Sequence, residues 1–153
     1  ECKDKITLVY TMTYGAAGKD YLAEMENEAI SLGCEYTILK NFLNEDQMAK
    51  LRCLCDILLH AQLTDAFSAS IQESLYAGCV VINGSWLPYN EIPVYKQSYV
   101  EYDNVEDIAD VLCEVINNFE EYKTKFCVNR KILHEISSVE TTTVAWRKNL
   151  DLK

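Results

Sequence analysis

Proline and glycine are scarce in this chain, 2 and 5 of 153 residues. That excludes a collagen-like or low-complexity polymer and leaves no stretch that reads as a flexible linker. No apolar run reaches the length that crosses a bilayer, and the opening residues, Glu1 to Lys5, are charged rather than signal-like. Positive charge is in deficit: 14 Lys and Arg stand against 24 Asp and Glu, a formal net charge of -10. Such a surface repels phosphate polymers and anionic lipid, which argues against nucleic acid as a partner. Metal-ligand spacing is missing too. Cys53 and Cys55 are one residue apart, and no His or second Cys pair follows at zinc-site distance.

What is present is a chain with 49% hydrophobic residues, long enough to bury about two thirds of its unfolded surface without a disulfide or metal. A single domain over residues 1–153 is expected. The seven cysteines, Cys2, Cys34, Cys53, Cys55, Cys79, Cys113 and Cys127, form an odd set without the tight spacing of a secreted framework. Buried, reduced thiols in a cytoplasmic protein are the expectation.

Along the chain, extended apolar runs alternate with helical periodicity. Ile6–Tyr10 reads as a strand. Tyr21, Leu22, Met25, Ala29 and Ile30 recur at helical spacing, and Gly33 closes that helix. Glu35–Leu39 is a second strand, and Asn44 with Gln47 caps a helix running through Met48, Leu51 and Leu54. Ile57–His60 and Cys79–Ile82, continuously apolar, read as strands buried on both faces, with a helix from Ser68 to Ala77 between them. Tyr99–Tyr102 is a fifth strand. Asn104 caps a helix with a stripe of Val105, Ile108, Ala109, Leu112, Val115 and Ile116, and two further helices follow from Phe119, the last opened by Ser137 and Glu140. The predicted class is α/β: a Rossmann-like, doubly wound parallel sheet of about five strands flanked by helices, with ligands beyond the strands' C-terminal ends.

The chemistry concentrates between Asp56 and Glu91. A strand ends at His60, a polar loop carries Asp65, a helix opens near Ser68 to Ser70, and Glu73 lies in its first turns. A helix start offers unpaired amides and partial positive charge to a phosphate. Carboxylates beside it accept hydrogen bonds from sugar hydroxyls. Phosphate amid carboxylates describes a sugar nucleotide.

Asp65 and Glu73 are separated by seven residues, Phe67 and Ser68 follow the first acid, and Glu73–Gly78 leads into the apolar run Cys79–Ile82. In these features the segment resembles the C-terminal, donor-nucleotide-binding domain of retaining glycosyltransferases of the GT-B fold. The resemblance implies that Asp65, the catalytic candidate, contacts hydroxyls of the transferred sugar. It implies that Glu73 holds the ribose, and that amides of Ala66, Phe67, Ser68, Ala69 and Ser70 hold the diphosphate. It also implies transfer of a hexose or related sugar from a nucleotide sugar to a glycan, lipid or polysaccharide precursor, with no metal and no other cofactor. The first acid is Asp where the family usually has Glu. The family's diphosphate-neutralising Arg and Lys belong to a loop upstream of Glu1, and its acceptor domain precedes that loop. The expectation is therefore a fragment without its acceptor domain and the first strand of its own domain, inactive alone. The parent enzyme would be cytoplasmic, with the inner membrane face an open alternative.

Other residues carry two readings each. His60, at the strand edge where ligands bind, is either a donor to sugar or phosphate or a satisfied rim histidine. Lys19 either faces a diphosphate or is solvated; the segment Gly15–Lys19 lacks the spacing and the Ser or Thr of a P-loop. Trp86 and Tyr89, in the loop after the fourth strand, stack on a base or sugar or pack against another domain. Ser68 also suits a helix cap, and His134 reads as structural. A phospho-accepting receiver domain is disfavoured, because Tyr10–Thr13 and His60 stand where its acids belong. A non-catalytic interaction or nucleotide-binding domain of the same fold stays open.

Overall fold

The computed structural model describes residues 2–13, 18–65, 68–91 and 99–149. Ala66, Phe67 and the side chain of Lys19, singled out above, lie outside the described residues. The chain divides into two compact units, 1–48 and 49–153.

In the first unit, β1 (Thr7–Thr11) and β2 (Glu35–Leu39) pair in parallel, Thr7 opposite Glu35 and Thr11 opposite Leu39. A parallel pair needs a crossover, and α1 (Lys19–Leu32) supplies it. The helix stops where the sequence predicts: Gly33 takes φ 66°, in the left-handed region, and its N–H bonds the Ile30 carbonyl. Ala29 is fully buried, while Tyr21 and Ile30 of the same recurrence stay exposed. The boundary between the units falls in α2 (Glu45–Leu54). Its start is a reciprocal cap, the Gln47 N–H donating to Asn44 Oδ1 at 2.9 Å and the Asn44 N–H to Gln47 Oε1 at 3.0 Å.

The second unit holds β3 (Ile57–His60), β4 (Val80–Gly84) and β5 (Val100–Tyr102), all parallel and in that spatial order. Helices α3 (Ala69–Ala77), α4 (Ile108–Asn117), α5 (Phe119–Phe126), α6 (Asn129–Ser137) and α7 (Val139–Asn149) belong to the same unit. β4 is buried along its whole length and divides the core. Val81 joins Ile71, Leu75, Leu87, Tyr89 and Leu133 on one side, while Val80 and Ile82 join Tyr102, Val115 and Phe126 on the other. The alternation is that of a strand covered on both faces, each buried aliphatic contributing about 1.5–3 kcal/mol. α3 ends on Gly78, φ 96°, with the Cys79 N–H reaching back to the Ser74 carbonyl at 2.9 Å. Lys123 Nζ donates to the Gly78 carbonyl at 2.9 Å, a cation on the negative end of that helix.

Several expectations are corrected. β3 is less buried than expected: Ile57 and Leu58 pack against the two clusters but are only half-buried, and Leu59 is 39% exposed. Three helices rather than two follow Phe119, because the chain turns at Cys127–Val128 between α5 and α6. Ser137 closes α6, and the last helix is capped one residue later. There Ser138 is extended at ψ 152° and its Oγ accepts the Thr141 N–H at 3.2 Å. Of the seven thiols, none of them in a disulfide, only Cys2 and Cys79 are buried; Cys53 and Cys127 are exposed. Burial pushes the Cys79 thiol up to about 11, so it stays protonated and donates to the carbonyls of Arg52 and Cys55. Among the described residues, no helix is long and apolar enough to cross a membrane.

Candidate functional site

The C-terminal ends of β3 and β4 bring together residues that are far apart in the chain. Parallel register sets His60, the last residue of β3, opposite Asn83 of β4. Their side chains meet, His60 Nδ1 lying 2.8 Å from Asn83 Oδ1. Asn83 Nδ2 in turn donates to the Gly84 carbonyl at 3.2 Å. The far ring nitrogen, His60 Nε2, is 3.0 Å from Asp65 Oδ2, with His60 8% and Asp65 23% exposed. The Tyr102 hydroxyl donates to the His60 carbonyl at 3.2 Å. His60 thus has a partner at each ring nitrogen, one of them the predicted catalytic acid.

Tyr89 meets the same acid from the other side. It sits in a 3-10 turn, Pro88–Glu91, just past β4, with its ring fully buried and edge-on to His60 and Tyr99. The hydroxyl accepts the Ser68 N–H at 2.7 Å and donates to Asp65 Oδ2 at 2.9 Å. Burial, together with the Asp65 carboxylate, pushes this phenol up against a smaller opposing pull from the Ser68 amide, which keeps it a donor. Its ring face is therefore not offered to a base or sugar. One hydroxyl instead ties Asp65 to the start of α3.

Ser68 occupies the N-cap position, but its side chain makes no capping bond to the helix. Ala69 and Ser70 form the first residues of α3 with exposed side chains, and helix geometry leaves their amides without intrahelical acceptors. Glu73 lies one turn on, half exposed, in an ion pair with Arg52 of α2. The two acids of the motif therefore have different partners: Asp65 meets His60 and Tyr89, and Glu73 meets Arg52.

Trp86 takes a third position. Its indole N–H donates to the Gln62 carbonyl at 3.2 Å, and its ring meets Tyr102 edge-on at 5.2 Å. With Leu63, Asp103, Asn104, Val105 and Glu106 it lines a cavity of about 330 Å³ past the strand ends. A Cβ added at Gly84 would overlap the Trp86 indole. Gly84→Ala is accordingly expected to displace Trp86 and cost about 1–3 kcal/mol, read as a shift in tryptophan emission together with a lower urea midpoint. Emission and midpoint like those of the parent chain would contradict this packing.

Sequence reasoning missed Asn83 and Arg52. A polar residue closing the apolar run Val80–Ile82 was the available signal for Asn83. Nothing local marked Arg52, whose partner is set by how α2 and α3 pack.

No protein-family model matches the chain, and no curated protein sequence does. Solved structures do match. HepE of Anabaena in complex with UDP superposes with a TM-score of 0.80 at 16% identity, over 96% of this chain and 41% of HepE. The complex of HepE with UDP and glucose gives 0.79 at 16% identity, over 98% and 41%. The complex with UDP-glucose gives 0.73 at 18%, over 95% and 40%. The fold is Rossmann-like. The chain spans about two fifths of the HepE chains it matches. At these identities the likeness establishes the fold, in agreement with the parallel strands and intervening helices described above.

Proposed function

We propose that this chain binds a nucleoside diphosphate sugar and forms the donor-binding part of a glycosyltransferase. The observation that carries the reading is the junction at Asp65 and Ser68, where a carboxylate and the amide end of α3 are tied together by one hydroxyl. A carboxylate accepts hydrogen bonds from sugar hydroxyls, and a helix start favours the diphosphate. The fold supports the same class, since HepE is seen with UDP, glucose and UDP-glucose, and a uridine diphosphate sugar is the donor proposed here.

In this reading Asp65 orients the transferred sugar, Glu73 receives the ribose hydroxyls, and the amides of Ala69 and Ser70, with those of Ala66 and Phe67, face the diphosphate. Holding the leaving diphosphate while an acceptor approaches lowers the barrier by positioning and by charge stabilisation. Retention of configuration, and a need for a separate acceptor-binding domain and further basic residues, are part of the proposal. So is activity on a glycan, lipid or polysaccharide precursor in the cytoplasm, without a metal.

A second reading, a non-catalytic interaction domain, draws on two contacts. The Ser68 amide is engaged by Tyr89 and the Glu73 carboxylate by Arg52, so both groups already have partners.

Thermal unfolding with UDP, GDP, ADP and dTDP separates the two. A ligand at about a hundred times its dissociation constant adds roughly 2.7 kcal/mol, which is several degrees in Tm for a chain of this size. The expected result is a rise with UDP exceeding that with the other nucleotides. No shift with any of them at millimolar concentration would overturn the donor reading.

A further inference from the structure

We propose that His60 is a positioning residue for Asp65, held by Asn83, and that this relay sets affinity for the sugar half of the donor rather than for its nucleotide. The inference rests on the donor-binding reading and sharpens it at one site.

The hydrogen-bond directions follow from Asn83. Its Nδ2 donates to the Gly84 carbonyl, so its Oδ1 is the atom facing His60, and His60 Nδ1 must carry a proton to donate there. The other nitrogen lies 3.0 Å from Asp65 Oδ2. The Tyr89 hydroxyl, itself accepting the Ser68 N–H, gives its own proton to that same oxygen. Asp65 Oδ2 thus accepts from Tyr89 and also faces His60 Nε2. The imidazole therefore spans β4 and Asp65, with one ring nitrogen against each. Its ring is 8% exposed and edge-on to Tyr89 at 6.4 Å, which leaves it little freedom to turn. A carboxylate one methylene shorter than Glu depends on such external orientation, because its reach to a sugar hydroxyl is set by where the Cβ and the carboxyl plane point.

His60 touches Asp65 but no group assigned to the ribose or the diphosphate. Loss of the relay should thus separate two affinities that a purely structural defect would lower together. The test compares UDP with UDP-glucose by calorimetry on the intact chain. His60→Leu is expected to weaken UDP-glucose about tenfold or more, as for loss of a hydrogen bond to a charged group, with UDP changed less than about twofold. His60→Gln, which keeps a donor amide at similar reach, should recover part of the loss. Asn83→Leu leaves His60 and Asp65 in place yet removes the Nδ1 acceptor, so the same selective loss is expected from it. Nitrogen-15 NMR of the ligand-free chain should show a proton on His60 Nδ1.

Equal losses for the two ligands would reduce His60 to scaffolding and overturn the proposal, as would unchanged UDP-glucose affinity or an Nδ1 without a proton. If the unsubstituted chain binds neither ligand, the donor-binding reading itself falls. That result is distinct from binding that persists while the variants fail to discriminate.

Discussion

Tyr89→Ala is expected to remove about 3–5 kcal/mol of stability, the usual range for deleting a fully buried aromatic. Tyr89 is 0% exposed in the cluster with Ile71, Leu75, Val81, Leu87 and Leu133, and its ring packs edge-on against both His60 and Tyr99. Removing it opens a cavity bounded by β4 and α3, which strand pairing holds too firmly to collapse. The hydroxyl adds its own share. Without it, the Ser68 N–H loses an acceptor and Asp65 a donor, and leaving such groups unmatched costs about 1–3 kcal/mol. Tyr89→Phe isolates that share, because the ring remains. Urea unfolding of the two variants gives the split directly. A loss under about 1 kcal/mol for Tyr89→Ala, far below the range for buried aromatics, would contradict its place in the core.

Glu73→Gln should weaken nucleoside diphosphate binding by about 1.5–3 kcal/mol if the carboxylate receives ribose hydroxyls as a charged acceptor. The ion pair with Arg52 makes this a clean experiment. Glu73 is half exposed, and pairs of that kind contribute only about 0–1 kcal/mol to folding. The variant should therefore unfold near the urea midpoint of the parent chain while its affinity for UDP drops by an order of magnitude or more. Arg52→Met supplies the complement: the carboxylate stays but is no longer steered, so the loss should be smaller than for Glu73→Gln. Unchanged UDP affinity in Glu73→Gln would remove the ribose assignment and favour a role for Glu73 in holding α2 to α3.

The two acids show how far a motif reads without its surroundings. Their spacing and the strand, loop and helix around them were legible, because each depends on neighbours a few residues away: apolar periodicity for α3, a φ above zero at Gly78, a continuous run for β4. Their partners were not. Asn83 reaches His60 only because β3 and β4 pair in one particular register, and a slip of one residue would put the two side chains on opposite faces. Tyr89, in a loop past a strand end, left stacking on a ligand and packing against another domain equally open. The turn after β4 instead folds back and buries its ring, leaving the hydroxyl as its contribution to the site.

The partial exposure of β3 has a similar origin. A run of Ile57, Leu58 and Leu59 reads as covered on both faces, but how fully it is covered depends on which elements pack over it, and composition does not encode neighbours. In the C-terminal part, two serines in succession offered the same cap chemistry. Which of them bonds the next helix was settled by where the backbone becomes extended, at Ser138.

The amino-acid order by itself determined the alternation of parallel strands and helices, the glycine stops at Gly33 and Gly78, and the placement of Asp65 and Glu73 at the mouth of α3. These follow from backbone geometry and short-range hydrogen bonding, which act within one or two turns of chain. Tertiary structure alone decided that His60 and Tyr89 meet Asp65, that Asn83 meets His60, and that Arg52 takes Glu73. Apart from His60 with Asp65, those contacts join residues more than 20 positions apart, and they form only where register and packing bring the side chains within hydrogen-bonding reach.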